Sequence, residues 1–361
     1  MKKINNILID FKDMGTPLNN LPHVGEILYN IALYLNKIKN IEIFFCNKIM
    51  GNISFQDFAK QKGEFDFKII DIEKKDKNIE HKLSDINCYL GFESKGDKYK
   101  RDYFNFYNRP VVIYAEGFFP SSMMVGRRDL FGDGVNARIL SHYCSHREIS
   151  NEVNEYKKYA INNNISKRPQ KGSDPIPDVP FIFIPGQALK DISIVLHSPV
   201  NFLEFIYRVT NFAKEKGIYV VFKHHPSLYL LAHGKQEQID FLKIIQTRYK
   251  NLFVVNNSIF DICKKSLFMA TLNSACVFDA FLCNTPVYCC GRSLFCRTKA
   301  VVYNPNIEEG LETIFNQSYD KNRMFENQNK CILWAIENLV KRNDSPEKSS
   351  KIIEYQMGVK F

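Results

Sequence analysis

The sequence lacks the uninterrupted run of about 18 apolar residues that a membrane-spanning helix requires. Its nearest candidate, residues 267–290, is broken by Asn273, Asp279, Asn284 and Pro286. The first residues include two aspartates and lack the apolar core of a signal peptide. Of the 361 residues, 45% are hydrophobic and 24% are charged, which excludes a disordered chain and suffices for two domains. We therefore expect a soluble, cytoplasmic protein.

Metal-binding signatures are also missing. None of the ten cysteines forms a Cys-x-x-Cys pair, and zinc-site spacing is absent. No Asp-x-Asp pair is placed to hold a divalent cation. The sequence therefore predicts reduced, buried thiols, no metal and no other cofactor.

Acidic residues are too few to balance the basic ones. Asp and Glu number 39 against 49 Lys and Arg, so the net charge is +10. This excess favours an anionic partner, either a nucleotide substrate or an anionic membrane surface. Long basic runs and nucleic-acid-binding motifs are absent, so we expect no nucleic-acid partner.

Strand-like and helix-like segments alternate in both halves of the chain, which predicts an α/β fold with two parallel-sheet domains facing a cleft. Proline-rich residues 166–180 indicate a linker between an N-terminal domain (1–165) and a C-terminal domain (181–361) that ends in helices. The strands expected in the second half are 181–184, 218–223, 252–255, 267–271 and 286–290.

The first of three motifs in the second half follows the strand at 181–184. Pro-Gly-Gln at 185–187 ends this strand, and Asp191 and Ser193 come shortly after. Gly186 permits close backbone approach to a ligand, and Gln187 can both donate and accept hydrogen bonds. An ordinary strand-end turn is the alternative.

The second motif, Lys-His-His-Pro, ends the strand at 218–223. Lys223 and His225 can bind a phosphate through charge-assisted hydrogen bonds, and Pro226 stops the strand.

The third motif follows the strand at 267–271. Asn273 and Ser274 can cap the next helix, whose amides are suited to a phosphate, and Asp279 could reach a ribose hydroxyl. A plain helix cap with an exposed aspartate is the alternative. All three motifs lie at the carboxyl ends of strands, as in two-domain, GT-B-type glycosyltransferases.

In this order, Pro-Gly-Gln, His-Pro and the Ser-containing helix start resemble the capsule polysaccharide synthesis family. Tyr-Ala-Glu-Gly-Phe-Phe-Pro at 114–120 and Gly-Val-Asn at 134–136 resemble the family's segments in the first half. That family includes bacterial β-Kdo glycosyltransferases that use CMP-Kdo. The resemblance implies a retaining transfer of Kdo to a saccharide or glycolipid in capsule or lipopolysaccharide synthesis, at the inner face of the bacterial inner membrane.

The resemblance also implies a division of roles. The first domain supplies a catalytic carboxylate and the acceptor contacts, with Glu116 as candidate nucleophile and Asp133 as alternative. Arg127 or Arg128 would bind the Kdo carboxylate, or form a salt bridge with Glu116. The chain has Ala115-Glu116-Gly117 where the family often has Glu-Asp-Gly, which leaves the identity of the nucleophile open. The second domain would bind the nucleotide sugar through Gly186, Gln187, Lys223, His225, Pro226, Asn273, Ser274 and Asp279.

Two other readings stay open. The donor could instead be CMP-sialic acid, CDP-glycerol or a UDP-sugar, because the His-Pro and Ser-helix motifs occur in several transferase families. The altered motif at Glu116 would also suit a non-catalytic, glycan-binding assembly subunit that keeps the fold.

Overall fold

The structure, a computed structural model, describes residues 4–10, 22–46, 49–50, 53–54, 66–70, 79–92, 98–127, 132, 134–170, 172–189, 191–226 and 235–357. Contacts divide the chain into two units. The first combines Met1–Leu130 with Asn338–Phe361, and the second is Phe131–Glu337.

Strands and helices alternate through both units. The strands are β1 (Asn6–Asp10), β2 (Glu42–Cys46), β3 (Ile49–Met50), β4 (Ile53–Ser54), β5 (Lys68–Ile70), β6 (Cys88–Phe92), β7 (Val111–Glu116), β8 (Ser122–Arg127), β9 (Phe181–Pro185), β10 (Tyr219–Lys223), β11 (Leu252–Val255), β12 (Phe268–Thr271), β13 (Val287–Cys289), β14 (Val302–Tyr303) and β15 (Val340–Lys341). The helices are α1 (Pro22–Lys39), α2 (Ile79–Leu83), α3 (Lys98–Phe106), α4 (Val135–His146), α5 (Asn151–Asn162), α6 (Ile192–His197), α7 (Phe202–Glu215), α8 (Lys235–Arg248), α9 (Ile259–Lys265), α10 (Val277–Leu282), α11 (Ile307–Phe315), α12 (Lys321–Asn338) and α13 (Pro346–Met357).

The first unit is built on a seven-stranded sheet in the order β15-β8-β7-β6-β1-β2-β5. Its strands pair in parallel from β5 to β7, and β8 and β15 add an antiparallel edge. Apolar side chains recur every three or four residues along α1, so those from Val24 to Leu35 enter one core with β1 and β2. Ile353 of α13 joins the same core.

A buried charge pair closes the carboxyl end of β1. The Asp10 carboxylate accepts hydrogen bonds from Lys100 Nζ at 2.5 Å and from the Tyr89 hydroxyl at 2.9 Å. All three side chains are buried. Because a buried charge needs a partner, this contact fixes α3 against β1 and β6.

The second unit contains a wholly parallel six-stranded sheet in the order β11-β10-β9-β12-β13-β14. Every residue of β9, Phe-Ile-Phe-Ile-Pro, is buried, as expected for a central strand covered on both faces. Numbered along this unit, the order is 3-2-1-4-5-6, which is the doubly wound arrangement. α7 covers one face with a row of buried aromatic and aliphatic side chains, and Asn201 caps its first turn.

The predicted α/β fold with two parallel-sheet domains is confirmed. The five strands expected in the second half are β9 to β13, each within two residues at its ends. Among the described residues, no helix is both long and apolar enough to span a bilayer.

The two units do not divide at the predicted residues 166–180. Helices α4 and α5 belong to the second unit, where α5 packs against α10. The last residues return to the first unit, because β15 pairs with β8 and α13 packs on α1. The composition of a linker marks where the chain is irregular, but the packing of the flanking helices decides which core they join.

Lys157 attaches α5 to the second unit. Its ammonium donates to Asn284 Oδ1 and to Asn329 Oδ1, both at 2.6 Å. Burial lowers the pKa of Lys157 from 10.5 to about 8. The folded chain therefore releases this proton more readily than the unfolded chain does.

Lys157→Met should remove a pH dependence of stability. Between about pH 8 and pH 10.5 the unfolded chain binds more protons at this lysine, so stability rises with pH. The free energy of unfolding of the wild type, relative to the variant, should increase by about 1.4 kcal/mol per pH unit in that window. Denaturant titrations across the window measure it, with Lys158→Met on the exposed side of α5 as control. A difference that is constant with pH would contradict the account.

Candidate functional site

The strand order of the second unit reverses between β9 and β12. From β9 the chain proceeds outward through β10 and β11, whereas β12 proceeds to the other side through β13 and β14. Ligands of doubly wound sheets bind outside the carboxyl ends of the strands at such a reversal. The first and third sequence motifs follow β9 and β12, and the second follows neighbouring β10, so all three lie at this edge.

Gln187 links the two strands at the reversal. Its side-chain oxygen accepts from Thr271 Oγ1 at 2.9 Å and from the Leu272 amide at 3.3 Å. Its side-chain nitrogen donates to Asn273 Oδ1 at 3.3 Å, and its own carbonyl accepts from buried Gln238 at 3.0 Å. The side chain is buried, so it positions the loop after β12 through these bonds.

Asn273 extends this network to the first turn of α6. Its side-chain nitrogen donates to the Ser193 carbonyl at 2.8 Å, and the Ser193 hydroxyl lies 3.4 Å from Asn273 Oδ1. Asp191 caps α6, because its carboxylate accepts from the Ser193 amide at 2.8 Å and from its hydroxyl at 2.7 Å. The predicted helix-capping role of Asn273 is therefore replaced by a bond to the chain after β9.

Position 186 must be glycine, because neighbouring backbone atoms leave no room for a side chain. A Cβ at this position would lie 2.5 Å from the His225 amide nitrogen and 2.7 Å from the Lys223 carbonyl oxygen. The Gly186 amide donates to the same Lys223 carbonyl at 2.7 Å. The close approach that its sequence context predicted is thus to the end of β10. It holds the Pro-Gly-Gln turn beside the Lys-His-His-Pro motif.

The three basic side chains of that second motif have different surroundings. The Lys223 ammonium is buried and donates to the Asn257 carbonyl at 2.5 Å, and burial lowers its pKa. Burial also lowers the pKa of His224. His225 is half-buried and Pro226 exposed at the outer end of β10. His225 is therefore more available than Lys223 to contact a phosphate at this strand end.

Ser274 lies between β12 and the short helix α10. Its amide donates to Thr271 Oγ1, and its hydroxyl accepts from the Cys276 amide, both at 3.3 Å. The helix itself begins later than expected, at Val277. The predicted capping role of Ser274 is therefore wrong, because Cys276 is the N-cap and no side chain caps the helix. The Ser274 hydroxyl instead accepts from an amide ahead of the helix.

Asp279 is buried, with 6% of its surface exposed. Burial raises its pKa from 3.8 to about 7, against the opposing effects of a Ser166 hydrogen bond and the Lys167 charge. The predicted alternative of an exposed aspartate is wrong. Contact with a ribose stays a prediction, and in this structure the carboxyl faces residues 166–167.

Arg292 is a candidate that the sequence motifs missed. It follows buried β13 at the same sheet edge, and its carbonyl accepts from Asn273 Nδ2 at 3.4 Å. The exposed guanidinium also donates to the Leu196 carbonyl at 3.2 Å. The sequence could have indicated this residue, because Gly291-Arg292 directly follows the apolar strand predicted at 286–290. A guanidinium here is suited to a phosphate or a carboxylate.

In the first unit, Glu116 is the last residue of β7 and pairs with Met123 of β8. The turn behind it is tightly built, because a Cβ on Gly117 would lie 2.2 Å from Ser122 Oγ. That buried hydroxyl donates to the Phe119 carbonyl at 2.8 Å. The backbone of Glu116 is therefore fixed at the end of the strand.

The other predicted residues of the first half lie partly or wholly outside the described residues. Arg127 ends β8, and the side chains of Glu116 and Arg127 lie outside the described part of the structure, as do Arg128 and Asp133 entirely. Their predicted roles stay predictions. Within the described residues, no three His, Cys, Asp or Glu side chains are grouped so that they could hold a metal ion.

A family model described as "Capsule polysaccharide biosynthesis protein" matches residues 112–298, just over half of the chain. The chain belongs to this family. The match covers β7 from Val112 to Glu116 and all three motifs of the second unit. No curated protein sequence matches the chain.

Solved structures resemble this capsule-synthesis protein over most of its length. KpsC of Thermosulfurimonas dismutans, titled a beta Kdo 2,4 transferase, is 13% identical with a TM-score of 0.53, and the match covers 91% of this chain and 90% of that one. The beta Kdo 2,7 transferase of the same KpsC is 18% identical, with coverage of 84% and 88% and a TM-score of 0.44. A UDP-GlcNAc 2-epimerase of Methanocaldococcus jannaschii is 9% identical, with coverage of 97% and 99% and a TM-score of 0.39.

At such low identity the first of these matches establishes the fold. Together with the doubly wound sheet of the second unit, it shows that this member of the capsule-synthesis family has the GT-B fold. The predicted family and fold class are confirmed.

Asp279→Asn should stabilise the protein at neutral and alkaline pH. The Asp279 carboxyl has a higher pKa in the folded chain than in the unfolded chain. Its contribution to stability is therefore complete below about pH 4 and is lost as the pH rises to about 7. The variant should exceed the wild type in free energy of unfolding by up to about 4 kcal/mol at pH 8. This difference should shrink steadily toward pH 4.

Thermal and denaturant unfolding across that range measure the effect. Asp261→Asn, at an exposed position of α9, is the matched control. A variant that is less stable than the wild type at pH 8 would show that the Asp279 carboxylate is needed in the fold.

Proposed function

We propose that the protein is a retaining glycosyltransferase that moves Kdo from CMP-Kdo to a saccharide or glycolipid acceptor in capsule or lipopolysaccharide synthesis. Membership of the capsule-synthesis family supports the process. The resemblance to a structure titled as a β-Kdo transferase supports the sugar. The observation that carries the proposal is the bonded network of Gln187, Asn273 and Ser193 at the reversal between β9 and β12.

The nucleotide would bind at this edge of the second unit. Gly186, Gln187 and Asn273 hold the loops in place. His225 and Ser274 would contact the phosphate. Pro226 fixes the loop after β10. Arg292 adds a guanidinium at the same edge, where it would stabilise the charge that develops on the departing CMP. No metal ion or other cofactor is needed in this scheme.

Lys223 and Asp279 would contribute less directly. Lys223 is buried and its ammonium is bonded to the Asn257 carbonyl, so its charge would offset phosphate charge only through space. Asp279 would contact the ribose only if its carboxyl turned away from residues 166–167.

The chemistry would proceed in two displacements. The Glu116 carboxylate attacks the anomeric carbon of Kdo as the bond to the CMP phosphate oxygen breaks, which releases CMP and forms a glycosyl ester. An acceptor hydroxyl then attacks the same carbon as the ester bond to Glu116 breaks, which frees the carboxylate, and the hydroxyl proton passes to solvent. Two inversions give net retention. Asp133 is the alternative carboxylate, and Arg127 or Arg128 would hold the Kdo carboxylate.

The acceptor would place this reaction at the inner face of the bacterial inner membrane. The net charge of +10 would support peripheral contact with anionic lipid.

Purified protein should release CMP from CMP-Kdo, and not from CMP-sialic acid, and should leave CDP-glycerol and UDP-glucose unchanged. Release from one of the other donors would keep the nucleotide site and overturn the sugar. If no donor is turned over, a rise in melting temperature caused by CMP would indicate a transferase that needs its acceptor for turnover, whereas no shift would support a glycan-binding subunit.

Glu116→Gln should lower the transfer rate by at least about 10³-fold, because an amide is a far poorer nucleophile than a carboxylate. CMP binding should persist, because the nucleotide site lies in the second unit. Asp133→Asn is the parallel variant. Normal transfer by Glu116→Gln together with loss in Asp133→Asn would reassign the nucleophile.

A further inference from the structure

A polar cavity of about 530 Å³ lies in the second unit, away from the strand edge described above. Its walls are α4, the amino-terminal half of α12 and the segment that contains Arg297, Thr298 and Lys299. The volume is within the range of about 300–1,000 Å³ that is common for small-molecule sites. Most such sites are apolar, whereas this one is lined by polar and charged side chains.

Positive charge dominates the cavity. Arg297, Lys299, Arg323 and Lys330 line it together with only two carboxylates. Glu326 pairs with Lys330 at 2.6 Å, one turn away on α12. Lys299 and Arg323 lie beyond this ion pair and favour an anionic ligand.

The second carboxylate, Asp320, is used by the helix. It accepts from the Arg323 amide at 2.9 Å and so caps the first turn of α12. This bond employs the main chain of Arg323, whose side chain is exposed.

Neutral hydrogen-bonding groups share the walls with these charges. Ser141 and Ser145 of α4 and Asn322 and Asn327 of α12 all line the cavity. The Ser141 and Ser145 hydroxyls donate to backbone carbonyls and so offer their oxygens as acceptors, whereas the asparagine amides can both donate to and accept from the hydroxyls of a sugar. A simple inorganic anion would bind to the cationic groups and would not require these serine and asparagine side chains.

The wall that carries Arg297 is firmly held. The Arg297 carbonyl accepts from Ser141 Oγ at 2.8 Å, which joins the segment to α4. The Thr298 hydroxyl donates to the Phe295 carbonyl at 2.8 Å. The backbone of this wall is therefore fixed before a ligand binds, which lowers the entropic cost of binding.

The same connection between β13 and β14 lines both sites. Its first residues reach the network at the strand edge through the bond from Asn273 to the Arg292 carbonyl, and five residues later it forms the cavity wall. A ligand in the cavity would thus lie beside a segment that also borders the nucleotide site.

We infer that this cavity binds an acidic saccharide. Its carboxylate would lie against Lys299 and Arg323, and its hydroxyls would bond to the serine and asparagine side chains. A membrane surface is a poorer match, because the charges line a concavity and not a flat face. The inference uses membership of the capsule-synthesis family and does not depend on the donor proposed above.

Titrations of the purified full chain, followed by ligand-observed NMR, test this inference. The probes are free Kdo and N-acetylneuraminic acid as acidic sugars, glucose as the neutral sugar, and inorganic phosphate. The cavity variant is Lys299→Gln with Arg323→Gln. Its matched control, Lys250→Gln with Lys264→Gln, removes the same charge at exposed positions of the second unit. Ser274→Ala reports on the nucleotide site.

Both acidic sugars should bind the wild type and glucose should not. The cavity variant should bind them about tenfold more weakly or worse, since a single hydrogen bond to a charged group is worth about that factor. The control and Ser274→Ala should bind as the wild type does. The lysine and arginine substitutions are at exposed positions and should leave the melting temperature nearly unchanged.

Three outcomes would overturn the inference. Equal weakening in the charge-matched control would show a diffuse electrostatic effect, and loss in Ser274→Ala would place the sugar at the nucleotide site. Binding of phosphate with no binding of either acidic sugar would show an anion site that does not recognise saccharides. Each result is independent of whether CMP-Kdo is turned over, so it does not bear on the proposed transfer.

Discussion

The buried side-chain amide of Gln187 is the constraint on which the candidate site depends. Its oxygen accepts from Thr271 and Leu272, and its nitrogen donates to Asn273, so one side chain joins the ends of β9 and β12. A buried amide that lost these partners would leave several polar groups unsatisfied, at about 1–3 kcal/mol for each. The loops at the sheet reversal are therefore fixed before any ligand binds, which favours tight recognition of a rigid group such as a phosphate.

The polar groups around this amide divide into those that build the edge and those that can serve a ligand. Gly186 and Lys223 are used internally, by close packing of two strand ends and by the Asn257 carbonyl. His225 and Arg292 lie farther out and carry the capacity to bind an anion. The second unit thus combines a stiff inner layer with an outer basic layer. The basic cavity has the same two features, a hydrogen-bonded wall and exposed cationic side chains. Its wall includes Arg297, five residues after Arg292 on the same connection.

The strands were predictable because their apolar runs are bounded by glycine, proline and polar residues. The order of the motifs also placed Gln187, His225 and Ser274 at one sheet edge, since parallel strands share a carboxyl end. Side-chain direction was not predictable. A lysine at a strand end can face a ligand or a carbonyl, and only the position of Asn257 decides this for Lys223. The division of the chain likewise depends on long-range packing, such as that of Lys157 against Asn284, which no local pattern encodes.

The most direct measurement of the central claim is a crystal structure of the protein with CMP bound. The account predicts density for the phosphate at the carboxyl edge of the second unit's sheet, within hydrogen-bond distance of His225 and Ser274 and near Arg292. It also predicts that the bonds of Gln187 to Thr271 and Asn273 are unchanged by binding. Density for CMP at another face of the second unit, or in the first unit, would contradict the account.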